Sequence, residues 1–124
     1  MTELEDAFLQ IIGRYPTYMR PPYFSCGATC LSVLGSLGYH VITANIDTLD
    51  WQFNTPTTIW QSQQIFKDNI SSTTGSTGRW IELSHDVHET TVEYLAEFMI
   101  DTATQQGYRC RWNPLRIPAF GHWL

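Results

Sequence analysis

Helical and extended patterns alternate along this chain, and that alternation restricts the fold more than any single residue does. Thr2 and Glu5 have the spacing of a capping box, and Leu4, Phe8, Ile11 and Ile12 recur at helical spacing, which predicts an amphipathic helix over 2–12 closed by Gly13. Tyr18 to Tyr23 reads as the end of a strand entering a loop, because Pro21 and Pro22 forbid helix and hold the preceding residues extended. Leu31, Leu34 and Leu37 mark a second helix over 28–37, with Gly38 as its cap. Tyr39 to Ile46 reads as one buried strand, 57–68 as a helix, and Ser71 to Gly78 as a flexible loop of Ser, Thr and Gly. A short strand over 80–83 then delivers Ser84 to His88 into a loop. Thr90 and Glu93 form another capping box, before a helix through Leu95, Met99 and Ala103 that Gly107 ends. The order α-β-α-β-α-β-α predicts an α/β fold with parallel strands joined by helical crossovers.

Composition excludes several classes of partner. The 124 residues are 43% hydrophobic and 15% charged, enough for one modest core. A net charge of -5 offers no basic footprint for nucleic acid, and the apolar runs are too short to cross a membrane. Residues 1–12 are acidic and lack the positive start of a signal peptide. Three cysteines leave one unpaired if two bond, and Cys26 and Cys30 are close enough for a small loop, the alternative being three reduced thiols. The sequon at Asn69 leans toward an extracellular setting, and localisation stays open.

Three segments, Arg20-Pro21-Pro22-Tyr23, Asp47 to Trp51 and Ile81 to Asp86, each follow a predicted strand. In α/β barrels the loops at the C-terminal strand ends build the active site, so Arg20, Asp50 and His85 are placed to converge. His85 is the candidate for acid/base work, and Asp50 for the carboxylate that orients it. Arg20, presented rigidly beside two prolines, suits bidentate binding of a carboxylate; the plainer alternative is a surface arginine stacked on Tyr18 or Tyr23. Trp51, Tyr23 and Trp60 could form a wall for a sugar ring, although core packing is the better expectation for Trp60. A rival reading groups Asp47, Asp50, His85 and His88 as a metal cluster, but no spacing among them matches a metal fingerprint.

Taken in order, the three segments resemble the last three motifs of the polysaccharide deacetylases of carbohydrate esterase family 4, the NodB-homology domain, and most closely the fungal chitin deacetylases. The likeness covers residues 2–108, and Leu37-Gly38-Tyr39-His40-Val41-Ile42 shares it. The resemblance implies part of a distorted (β/α) barrel, with N-terminal strands and helices missing, over 1–108, and a non-matching tail over 109–124. It implies hydrolysis of N-acetyl groups of chitin or a related N-acetylglucosamine polymer, with zinc or cobalt as cofactor. Arg20 would orient the catalytic base, the Tyr23 amide would help hold the oxyanion, and Asp50 would tune His85, the acid that protonates the departing amine. Trp51 and Leu83 would line the acetyl pocket, and Cys26 and Cys30 match a short-loop disulfide of secreted members.

The family's Thr-Phe-Asp-Asp and His-x-x-x-His motifs, which supply its base and metal ligands, occur nowhere in this sequence. The expectation is therefore the C-terminal part of a deacetylase, impaired in catalysis and with no metal ligands of its own. The alternative is an inactive carbohydrate-binding remnant. Uncovered barrel edges would favour self-association.

Overall fold

The structure, a computed structural model, describes residues 2–109, which fall into two compact units dividing between Thr43 and Ala44. The non-matching tail expected over 109–124 lies, beyond Arg109, outside the described residues.

The first unit comprises α1 (Thr2–Ile12), β1 (Tyr18–Met19), a tight turn over Pro22–Phe24, α2 (Ala28–Ser36) and β2 (His40–Val41). β1 and β2 are parallel, with Tyr18 opposite His40 and Met19 opposite Val41, and α2 is their crossover. α2 stops because Gly38 takes φ 79°, a conformation open to glycine at little cost. The Gly38 amide then donates to Gly35 O at 3.0 Å and that of Tyr39 to Leu34 O at 2.9 Å. This paired arrangement satisfies two end carbonyls of the helix and buries Leu34 and Tyr39. Cys26 and Cys30 form a disulfide across the start of α2.

The Tyr39 hydroxyl donates to the Glu5 carboxylate, tying the loop after α2 to α1. Burial, followed by that hydrogen bond and the Glu5 charge, pushes the Tyr39 phenol up to about 12. A raised folded value means that the phenol's contribution to stability is complete below its ordinary 10.0 and is lost as pH climbs through about 12. Ultraviolet titration should show a late tyrosine component that rises toward about pH 12. Tyr39→Phe should remove that late component and cost about 1–2 kcal/mol at neutral pH, measured by urea unfolding.

The second unit contains β3 (Ile46–Asp47), α3 (Trp60–Ser71), β4 (Glu82–Leu83), a π-helical turn (Thr91–Leu95) and α4 (Ala96–Gln105). β3 and β4 are again parallel around one crossover helix, with Ile46 opposite Glu82 and Asp47 opposite Leu83. Ile46, Phe66, Ile70 and Ala103 form the core, with Trp80, Phe98, Met99 and Tyr108 packed against it. Asn45 fixes the register: its amide nitrogen donates to Arg79 O and its amide oxygen accepts from the Ile81 N–H at 2.7 Å.

Several local expectations change. The run Tyr39 to Ile46 is not one strand: β2 and β3 belong to separate sheets, and Asn45 takes its partners from the 79–81 segment instead of prolonging β2. The helix expected over 57–68 begins at Trp60, because Thr55 and Thr58 hold the preceding turn through their hydroxyls, 2.6 Å apart. Trp60 is not a core residue but 59% exposed. Of the loop expected over Ser71 to Gly78, Ser71 closes α3, and the 72–78 remainder is anchored at Thr73, Gly75 and Gly78. A Cβ on Gly75 would lie 1.9 Å from Gly107 O, one on Gly78 would meet Tyr108, and Thr73 Oγ1 lies 2.6 Å from the Tyr108 hydroxyl. Thr90 makes no capping hydrogen bond, and the helix it was to begin opens with the π turn.

Candidate active site

β3 and β4 end side by side, and the residues that follow them meet. Thr48, fully buried, donates from Oγ1 to Leu83 O at 2.8 Å and clasps the two strand ends. The Asp47 carboxylate accepts the Leu49 N–H at 2.9 Å, and Leu49 takes φ 54°. A branched residue in the left-handed region costs on the order of 1 kcal/mol or more, and such strain concentrates at functional loops. Here the turn directs Asp50 inward while leaving Trp51 52% exposed.

Asp50 is 0% exposed and receives four donors. Oδ1 accepts from His85 Nδ1 at 2.8 Å and the Trp51 N–H at 3.0 Å; Oδ2 accepts from the His85 N–H at 2.6 Å and Thr91 Oγ1 at 2.8 Å. Four donors fill a carboxylate's accepting capacity. Burial by itself raises the Asp50 pKa, but the hydrogen bonds from the His85 ring, the His85 amide and Thr91 outweigh it and hold the carboxyl below its ordinary 3.8. An ionised carboxylate only accepts, so His85 Nδ1 carries the proton of the shared hydrogen bond. Nε2 is then the ring atom left to exchange a proton with a substrate. The His85 side chain is 38% exposed, so the ring is reachable from solvent. The pair thus has the chemistry of an oriented general acid or base.

Thr91 is the site residue that the sequence reading missed. It opens the π turn, in which the Ala96 N–H reaches back to Thr91 O. Thr91 and Leu95 face inward while Val92 and Tyr94 are exposed. Such wide turns recur at functional sites. The signal was present as the Thr90-Thr91 pair, but the capping pattern drew attention to the wrong hydroxyl.

Leu83, in β4, lends its carbonyl to Thr48 and is half-buried beside Ser84 and His85. Arg20 and Tyr23 belong to the first unit. The Arg20 guanidinium lies over the Phe24 ring, 5.8 Å from its centroid, and not on Tyr18 or Tyr23, and its Nε is buried without a hydrogen-bond partner. Tyr23 and Phe24 both take φ 54°, and the Tyr23 side chain is wholly exposed. His40 stacks on Tyr18 with ring centroids 4.7 Å apart.

Among the described residues no three His, Cys, Asp or Glu side chains are placed to hold a metal ion, which sets aside the Asp47, Asp50, His85 and His88 cluster. Asp50 has its lone pairs committed to the four donors, and His88 meets His85 only ring edge to ring, 6.1 Å between centroids. These residues do not fit the zinc or cobalt expected from the resemblance.

No family model matches the chain. It is 46% identical over 109 residues to a chitin deacetylase of Colletotrichum lindemuthianum, covering 88% of this chain and 44% of that protein. To a chitin deacetylase of Pestalotiopsis it is 47% identical over 107 residues, covering 86% of this chain and 34% of the relative. The solved Colletotrichum structure superposes with a TM-score of 0.82 over 88% of this chain and 48% of the other. A polysaccharide deacetylase of Bacillus cereus, 24% identical, shares the fold with a TM-score of 0.70. The chain belongs to the polysaccharide deacetylase family and is α/β, part of that family's distorted (β/α) barrel. It spans less than half the length of these curated relatives.

Proposed function

We propose that this chain carries the acid side of an N-acetyl hydrolase acting on chitin or a related N-acetylglucosamine polymer, residues 1–108 being the C-terminal part of the deacetylase domain and 109–124 lying outside it. The observation that carries the reading is the buried Asp50 carboxylate holding His85 by its ring and its backbone together. His85 protonates the departing amine from Nε2, and Asp50 stabilises the imidazolium. Trp51 and Leu83 border the acetyl group, and Trp51 is exposed enough to meet a sugar face. Arg20 binds a carboxylate supplied by the segment that precedes these motifs in the family, and its unpartnered Nε supports that role. The Tyr23 amide is assigned an oxyanion-holding role, which the left-handed turn at Tyr23 and Phe24 supports.

The second reading is a carbohydrate-binding remnant, in which the exposed Trp51 meets a glycan without turnover. One experiment separates the two: titration with N-acetylglucosamine oligomers alongside an acetate assay with added zinc or cobalt. Both readings expect oligomer binding that falls about tenfold or more in Trp51→Ala, the effect of losing one aromatic sugar contact. Acetate release favours the enzyme, and binding without release the remnant. An absence of binding rejects both.

Among the described residues each sheet has two strands, so backbone groups at its outer edges lie outside the ladder. We expect self-association through such edges. Sedimentation velocity should show species heavier than 14.3 kDa, and a monodisperse monomer at tens of micromolar would overturn this expectation.

A further inference from the structure

The second unit carries an open groove of about 440 Å³, lined by the 54–56 loop and by residues between Val87 and Tyr94. It adjoins the dyad. His88 contributes to its wall and meets the His85 ring edge-on, and Asn54, on the opposite loop, donates to Trp51 O at 3.2 Å. Its chemistry differs from that of an acetyl pocket. Glu89 and Glu93, one helical turn apart, both line it and are exposed, and no lysine or arginine lies among the lining residues. Val87 and Tyr94 offer exposed apolar surface, at 81% and 47%. Thr90, also lining the groove, is 6% exposed, and its Oγ1 has no hydrogen-bond partner. A buried hydroxyl left unpaired is costly, so this residue gains from a ligand hydroxyl more than a solvated one would.

A ligand matching these features carries a positive charge, several hydroxyls and a flat apolar face. We propose that the groove is a subsite for a protonated 2-amino sugar, an already deacetylated glucosamine unit of a partly deacetylated chain, lying next to the unit presented to His85. Glu89 and Glu93 bind the ammonium, Tyr94 and Val87 meet the pyranose face, and Thr90 takes a ring hydroxyl. An N-acetyl group in the same place is neutral and leaves both carboxylates without a cation. The inference rests on the glycan reading above and adds to it a preference for substrate chains that are already partly deacetylated.

The test is titration of the isotopically labelled chain with a glucosamine tetramer and, separately, an N-acetylglucosamine tetramer, followed by NMR and calorimetry at low and high salt. The expected result is that the glucosamine tetramer binds at least about tenfold more tightly at low salt, shifting amide signals between Val87 and Tyr94. Salt and the double substitution Glu89→Gln with Glu93→Gln should each erase the preference. Should the double variant lose its helical circular dichroism, Glu89→Gln alone serves, with several-fold loss expected. Thr90→Val, equal in shape, should weaken the glucosamine tetramer several-fold. Equal affinities, a preference for the N-acetyl tetramer, or a preference that survives the Glu→Gln substitutions overturn the groove assignment and leave the glycan reading standing. Binding of neither tetramer overturns both.

Discussion

His85→Ala should lower acetate release by about 10²- to 10⁴-fold, the usual contribution of a positioned general acid. The assay calls for a chain completed with the segments bearing Thr-Phe-Asp-Asp and His-x-x-x-His, for which a fusion to the preceding part of the Colletotrichum chitin deacetylase is suited by the 46% identity. The imidazole is the group whose Nδ1 is anchored on Asp50 and whose Nε2 is left to move a proton. Truncation removes the acid while leaving Trp51 in place, so kcat should fall much more than KM rises. A substrate with a better leaving group than an amine should regain much of the lost rate, a response that a merely structural histidine would not give. Unchanged kcat in a folded variant would remove His85 from the reaction.

The second large effect is on stability. Asp50→Ala should destabilise the fold by about 3–5 kcal/mol, because it strands donors from the His85 ring, the His85 and Trp51 amides and the buried Thr91 hydroxyl. Asp50→Asn keeps the shape but turns an amide N–H toward groups that are themselves donors. A smaller loss of about 2–4 kcal/mol is expected. Both changes should appear as a lower urea midpoint with little change in slope. The pH dependence follows from the depressed carboxyl: its stabilisation is present above the ordinary 3.8 and is lost as pH falls through the lower folded value. Wild-type protein should therefore lose stability steeply only below about pH 4, and Asp50→Asn should flatten that acid limb. A steep limb unchanged in Asp50→Asn would assign the acid sensitivity to other carboxylates.

The two effects act on one element by different routes. Asp50 binds His85 twice, through ring and backbone, so the loop after β4 and the imidazole are fixed together. Thr91 adds a third attachment from the start of the last helical segment. Its removal in Thr91→Val leaves one lone pair of Asp50 unsatisfied, a smaller loss than removing the carboxylate itself.

Much of this was legible in the order of residues. The alternation of 3.6- and 2-residue periodicities determined an α/β chain with parallel pairing, since a crossover helix between strands leaves parallel pairing as the compact solution. Gly38 determined where α2 ends, because glycine takes its positive φ at the least cost. The placement of Asp50 and His85 just after strands determined that they are loop residues available to a shared site. Their contact was an expectation from the shared strand-end placement, and the fold realises it across thirty-five positions of chain.

Tertiary structure decided the rest, for reasons that local pattern does not encode. Tyr39 to Ile46 is rich in β-branched and aromatic residues, yet it divides between two sheets because Asn45 finds its partners on the 79–81 segment. The loop over 72–78 is polar and glycine-rich in composition, yet Gly75, Gly78 and Thr73 meet Gly107 and Tyr108, which only the folded chain brings to it. Thr90 has the right spacing for a cap, but Asp50 recruits the next residue, Thr91, into a wide turn instead. The sequence by itself determined the kinds of elements and the chemical groups at their ends. Which of those groups share a carboxylate was decided by long-range hydrogen bonding in a buried place, where each unmet donor is costly enough to overrule local preference.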